Sequence, residues 1–290
     1  MRKLILFAIP AFIWGSTWLA IKFQLGVVDP LISIFYRFLF AALVLFVYAY
    51  FARLNLKFSL RQHFFMALQG TLLFSINYWL VYLAEQHLTS GLVAIVFSTI
   101  IFLNIFNGAL LLKSKINLRV VTGAVLGFLG VALVFKDEVV GFNFSSGNSI
   151  AFLLALIGAV TASLGNIASA YNQRNQIPVL QTNAFGMLYG SLLMLILAGL
   201  LGKPMQFDFS FLYISSLLYL AIFGSVIAFG SYLKLLGEIG ADKAAYVTLI
   251  IPIIALILST LFEGYQWNSI AFLGVALIIL GNIFVLKKKQ

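Results

Sequence analysis

Residues 31–51 read LISIFYRFLFAALVLFVYAYF, twenty-one positions with a single charge, Arg37. An α-helix rises about 1.5 Å per residue, so about 20 apolar residues cross the roughly 30 Å hydrocarbon core of a bilayer. Residues 180–201, LQTNAFGMLYGSLLMLILAGLL, repeat the pattern with no charge at all. A soluble chain carries roughly 25% charged residues because its surface faces water. This chain has 9% charged and 63% hydrophobic residues over 290 positions. A soluble reading would make every such block a central core helix, which one domain cannot accommodate. The chain reads as an all-α, polytopic membrane protein.

Working outward from these blocks, hydropathy punctuated by charge, Pro and Gly places helices over 4–23, 30–51, 64–85, 91–112, 119–136, 149–171, 180–201, 210–236, 243–262 and 268–286. That is ten transmembrane helices joined by short connections. The fifth is the shortest, and the eighth reads equally as one element or two. Arg2 and Lys3 precede an apolar run, as in a signal peptide. The run continues through Trp14 and Trp18 without a small-residue cleavage site, so an uncleaved first helix is expected.

The formal charge of +10 would suit a nucleic-acid binder if the basic residues were clustered. Instead they lie at helix ends. With ten helices, 14 Lys and Arg fall on the side of the termini and 3 on the other, Arg37 lying inside a helix. The positive-inside rule then puts both termini in the cytoplasm. There is no Cys, and His63 and His87 are both expected in connections. Neither a disulfide nor a Cys- or His-based metal site is expected, and no cofactor.

The chain also repeats itself. Leu88-Thr-Ser-Gly-Leu-Val-Ala94 aligns with Ile239-Gly-Ala-Asp-Lys-Ala-Ala245, and Leu126-Gly-Phe-Leu-Gly-Val-Ala132 with Leu277-Ile-Ile-Leu-Gly-Asn-Ile283, both at an offset of 151. The same offset carries Gly123 onto Gly274 and Gly130 onto Gly281. Two five-helix units are expected, 1–138 and 139–290. Five is odd, so the units must insert with opposite orientation. Inverted repeats are a construction of secondary transporters, which bind substrate near the bilayer midplane between the halves.

Ile13-Trp-Gly-Ser-Thr-Trp-Leu-Ala-Ile-Lys22 resembles the opening motif of EamA-type members of the drug/metabolite transporter superfamily. Phe35-Tyr-Arg-Phe38 resembles the arginine-containing segment of that family's second helix, and Pro252 and Glu263 fall where the family has a helix proline and a closing glutamate. At the 151 offset Pro252 meets Ile101 and Glu263 meets Leu112, so the first half lacks both marks. The resemblance implies export or exchange of small metabolites, amino acids or drugs, and a bacterial inner membrane.

A polar solute needs a polar path, visible as polar and aromatic residues at helical spacing. The third helix has Thr71, Ser75, Tyr78, Tyr82 and Glu85 on one face, flanked by Asn77 and Trp79. They read as a cavity wall or, alternatively, as interhelical hydrogen bonding plus an interfacial aromatic belt. Ser225, Phe229 and Tyr232 repeat the idea in the eighth helix. Trp14, Thr17 and Trp18 offer a further wall in the first. Asn104, Asn107 and Asn166 are amides in apolar surroundings that either tie helices together or face a solute. Arg37 lies about 10 Å into its helix, where a guanidinium must snorkel, pair, or dock an anionic group. Lys22 or Arg37 pairing with Glu85 would make an outward gate, and Glu263 is a candidate coupling group. Gly123/Gly127 and Gly186/Gly190 are spaced for close helix approach.

No Gly-rich phosphate loop, Gly-x-Ser-x-Gly elbow or His-Glu-x-x-His helix occurs, so neither ATP hydrolysis by that route nor those hydrolytic chemistries is expected. The expected function is a secondary transporter working by alternating access on an apolar or aromatic amino acid or a drug-like solute. An intramembrane enzyme acting on a lipid or isoprenoid is the alternative, and an assembly factor or channel a third reading. The partners expected are the lipid bilayer and a small solute, with no nucleic acid; the oligomeric state stays open, a monomer included.

Overall fold

The computed structural model describes residues 1–143, 146–262 and 267–286, and every regular element among them is helical. The principal helices are α1 (Arg2–Lys22), α2 (Pro30–Phe51), α3 (Leu60–Glu85), α4 (Gly91–Leu112), α5 (Leu118–Val134), α6 (Ser146–Arg174), α7 (Val179–Leu200), α8 (Phe211–Ile239), α9 (Val247–Phe262) and α10 (Ser269–Leu286). Among the described residues, seven stretches are long and apolar enough to cross a membrane: α2, α3, α4, α6, α7, α8 and Ala241–Leu258. α5 and α10 are shorter apolar helices. The protein is a multi-span membrane protein.

Local chemistry sets the helix starts. Asp29 accepts from the Leu31 N–H with Pro30 in the first turn, so α2 begins capped and with φ already fixed. Ser59 and Gln62 form a reciprocal capping box that starts α3 at Leu60, four residues before the expected position. His63 therefore lies in the first turn of α3 rather than in a connection, and its Nδ1 pairs with the Tyr189 hydroxyl at 2.8 Å. Thr89, Asn117 and Ser210 cap the starts of α4, α5 and α8. The eighth apolar stretch, expected as one element or two, is one continuous helix, with a π-helical segment over Leu220–Ile227.

The packing is paired. α1 lies against α8 and α9, while α6 lies against α3 and α4. α2 runs beside α7, and α5 beside α10. In the α5–α10 seam a Cβ on Gly130 would stand 2.6 Å from Gly274 O, and one on Gly281 would stand 2.6 Å from Gly123 O. Gly123 meeting Gly281 while Gly130 meets Gly274 requires the two helices to run antiparallel. Small residues matter here because helices in lipid associate through close van der Waals contact.

Burial is inverted relative to a water-soluble protein. Val47, Phe51, Phe106, Leu110, Leu200 and Ile283 are exposed, whereas Gln69, Ser75, Asn104, Asn166 and Ser191 are buried. Lipid solvates the first set at no cost, and protein must satisfy the second.

Candidate functional site

α3 and α8 each contain a π turn, Leu72–Ile76 and Leu220–Ile227. In each a serine hydroxyl donates to the carbonyl five residues earlier: Ser75 to Gly70 O at 3.1 Å, Ser225 to Leu220 O at 3.0 Å. A π turn loosens the regular ladder and leaves main-chain groups for other partners. Two such partners come to the α8 turn. Trp14 Nε1 from α1 donates to Gly224 O at 3.1 Å, and Arg37 Nε from α2 donates to Ser225 Oγ at 3.0 Å. Gly224 makes room for this approach, since a Cβ there would lie 3.2 Å from Arg37 Nη2.

Beside the α8 turn lies a central cavity of about 110 Å³. From the first half it takes Trp14, Thr17, Arg37, Asn77 and Tyr78, and from the second half Asn166, Phe229, Tyr232 and Thr248. Aromatic rings interlock around it. Trp14 meets Phe229 at 4.9 Å and Tyr232 at 5.1 Å between centroids, and Phe38 meets Tyr78 at 5.0 Å. The first and third of these pairs are edge-to-face and the second is tilted, geometries that hold rings in fixed orientation. The Tyr232 hydroxyl accepts from Asn166 Nδ2 at 3.1 Å, which ties α8 to α6.

Arg37 dominates the electrostatics. Only 1% of its surface is exposed, so it does not snorkel. Its Cζ stands 4.6 Å from the Tyr78 ring centroid and its Nη2 lies 3.5 Å from the Tyr78 hydroxyl. Its Nη1 makes no well-formed hydrogen bond, although the buried Tyr82 hydroxyl also faces the guanidinium. Among the described residues the ion pairs are Arg2–Glu238, Lys136–Asp137 and Lys203–Asp29, and none involves Arg37.

A second cavity, of about 580 Å³, lies toward the end of the molecule that carries Arg2. Lys115, Arg174 and Lys234 line it together with Glu238 and Asp242. α4, α6 and α8 line both spaces in succession: Ile100, Asn166 and Tyr232 face the central one, Asn104, Ile167 and Lys234 the larger one.

The structure distributes the expected site residues as follows. Trp14, Thr17, Arg37, Asn77, Tyr78, Asn166, Phe229 and Tyr232 come together at the central cavity. Asn104 lines the larger cavity and donates to Ala241 O at 3.0 Å. Ser75 and Ser225 are fully buried in their π turns outside the lining. Tyr82 is also fully buried and outside the lining, which removes the aromatic-belt reading for it, because a belt residue must reach the lipid headgroups. The Trp18 side chain and Glu263 lie outside the described residues. No Arg37–Glu85 pair is present: Arg37 turns to Ser225 and Tyr78, and Glu85 is half-buried within the field of exposed Lys22, beyond ion-pair distance.

Several lining residues carry no sequence signal. Leu73, Val81, Phe97, Ile100, Ala162 and Ile251 are ordinary apolar residues on apolar helices, distinguished only by what they face. Thr248 could have been noticed, as a hydroxyl in an otherwise aliphatic run. The buried chain Asn183–Gln69–Asn172, which ties α7, α3 and α6 at 3.3 and 3.1 Å, was likewise unread.

The chain is 27% identical to Protein PagO of Salmonella typhimurium over 99% of this chain and 94% of that one. It is 29% identical to the uncharacterized inner membrane transporter YedA of Escherichia coli K12, covering 94% and 87%. It is 24% identical to the uncharacterized transporter YoaV of Bacillus subtilis, covering 96% and 95%. A crystal structure of a protein 17% identical superposes with a TM-score of 0.80 over 98% of this chain and 96% of the other, a likeness of fold alone. The EamA-like transporter family matches residues 1–136 and again 149–287. With both halves of the chain matched, the protein belongs to the EamA-like transporter family and is a membrane transporter rather than an enzyme.

Proposed function

We propose that the chain is a secondary transporter that moves a small metabolite, such as an apolar or aromatic amino acid or a drug-like solute, by alternating access around the central cavity. One observation carries this reading: the two halves of the chain jointly wall a polar and aromatic cavity, and the same helices continue into a larger cavity toward the Arg2 end. A site built across two halves changes its access when one half rocks against the other. In this conformation the opening faces the end bearing Arg2, Lys115, Arg174 and Lys234. By the positive-inside rule that end is cytoplasmic, with both termini there.

The reading includes ten transmembrane helices as two inverted five-helix repeats, 1–138 and 139–290. Exchange of equivalent elements supports it. α1 packs on α8 and α9 as α6 packs on α3 and α4. The Gly123–Gly281 contact becomes the Gly274–Gly130 contact when residues are exchanged at the offset of 151. The serine-capped π turns of α3 and α8 repeat the correspondence.

Counterflow in proteoliposomes with a panel of labelled amino acids tests the transport. Solute exchange abolished by Trp14→Ala or Tyr78→Ala supports it; conversion of a lipid without solute flux would sink it. Because the chain has no Cys, single cysteines at Lys115 and Lys203 test the orientation. Labelling of both from the same side of the membrane would break the inverted arrangement.

A further inference from the structure

We infer that the solute held in the central cavity carries a carboxylate, which docks on the Arg37 guanidinium while an apolar body packs against the aromatic wall. The inference rests on the transporter reading for the movement of that solute, and on the cavity alone for its binding.

A guanidinium has five N–H donors. Arg37 uses Nε on Ser225 and extends Nη2 to the Tyr78 hydroxyl at 3.5 Å, the limit of a hydrogen bond. Nη1 makes no well-formed hydrogen bond, the neutral Tyr82 hydroxyl being the further group that faces the guanidinium, and only 1% of the residue is exposed. The rings of Tyr78 and Phe38, 4.6 and 5.2 Å from Cζ, offer their electron-rich faces but no countercharge. Burying a cation in this way is strongly disfavoured unless an anion completes it. No described residue does so, and among the described residues no Asp or Glu lines the cavity. Among the described residues the one formal charge on the lining is therefore positive. A carboxylate neutralises it and matches the planar fork of the guanidinium with parallel hydrogen bonds. A solute bearing only an ammonium brings like charge into the same low-dielectric space.

Two further atoms, on residues that line the cavity, refine the class. Asn77 Oδ1 and Asn166 Oδ1 are buried acceptors without partners, their amide nitrogens being used on Leu73 O and the Tyr232 hydroxyl. They accept N–H donors, so an amino group is tolerated when a carboxylate accompanies it. The cavity of about 110 Å³ favours a compact branched or cyclic body in this conformation.

The test uses the full chain in nanodiscs for binding and in proteoliposomes for flux. Two matched trios serve as probes: isovalerate, valine and isobutylamine, and 3-phenylpropionate, phenylalanine and phenethylamine. The expected result is that the acid or the zwitterion of at least one trio binds, read as a rise in unfolding temperature, and that neither amine does. Arg37→Met is expected to weaken acid binding by about tenfold or more, and Arg37→Lys to keep the preference for acids at reduced affinity. An amine binding as well as its acid would overturn the inference, with or without the variants. So would chloride, exchanged against isethionate, producing the whole stabilisation with no discrimination among the trios. Acids that bind without flux would sink the transporter reading and leave the docking intact. Amines that are carried while acids are not would sink the docking and leave the transporter.

Discussion

The contact of α2 with α8 and the contact of α7 with α3 stand in corresponding places of the two proposed repeats, and they are built from opposite materials. Where α7 meets α3, Gly70, Gly186 and Gly190 bring main chain against main chain: a Cβ on Gly190 would lie 2.9 Å from Gly70 O, and one on Gly70 would overlap the Gly186 carbonyl. Where α2 meets α8, a complete arginine side chain fills the space beside Gly224 and Ser225. Ser75 in the first contact bonds only main chain of its own helix, to Gly70 O and Thr71 O. Ser225 in the second also receives Arg37. One contact holds the protein together, while its counterpart is given to a charge that no described residue neutralises.

That contrast can be broken or sharpened by substitution. The largest effect is expected of Gly70→Val, which drives two branched methyls into the α7 backbone. Backbone cannot turn aside as a side chain can, so a loss on the order of 3 kcal/mol is expected, read as failure to recover monodisperse protein from membranes. A well-folded variant would mean that the α3–α7 seam is slack.

Arg37→Met sharpens the other side. Removing an unpaired buried cation for an apolar chain of similar length should leave thermal stability unchanged or raise it by about 1 kcal/mol or more. A clear fall in unfolding temperature would instead make Arg37 a structural group.

Ser225→Ala and Ser75→Ala compare the two π turns directly. Each loses its bond to the carbonyl five residues back, but only the first strands Arg37 Nε. Apparent solute affinity is expected to drop about fivefold for Ser225→Ala, equivalent to about 1 kcal/mol, and to stay near wild type for Ser75→Ala. Equal effects would erase the asymmetry.

The smallest change is expected at the start of α2. Asp29 pairs with Lys203 at 3.0 Å and also caps Leu31 N–H. Asp29→Asn keeps the cap and removes the charge, so a stability change below about 0.5 kcal/mol is expected for this partly exposed pair. A larger one, in urea or thermal unfolding, would mean that this end of α2 is held by the ion pair.

Several features are legible in the sequence. Apolar length is a direct consequence of bilayer thickness, which is why residues 31–51 and 180–201 already announced helices that span. Capping read less well: the Ser59–Gln62 box moved the start of α3 because two local hydrogen bonds outweigh the hydropathy of the following residues. Of the candidate wall, Tyr78 and Asn77 line the cavity while Tyr82, one turn on along the same face, is sealed inside protein. Helical periodicity ranks residues by face but cannot say where along that face a neighbouring helix closes the space. The Arg37–Glu85 pair failed to form for a related reason. Both residues were placed by depth alone, whereas the direction of the arginine was set by Ser225, 188 positions later in the chain.

What the sequence alone determined is therefore the membrane-spanning helical character, the family and the residue types available for a polar interior, because these depend on composition and spacing along one chain. Tertiary structure alone decided which of those residues share a cavity, which serines receive a charge, and that Arg37 is fully buried with no acid beside it among the described residues. Those facts depend on which helix faces which across the bundle, and apolar helices of similar composition pack alike in sequence while differing in what their few polar atoms meet.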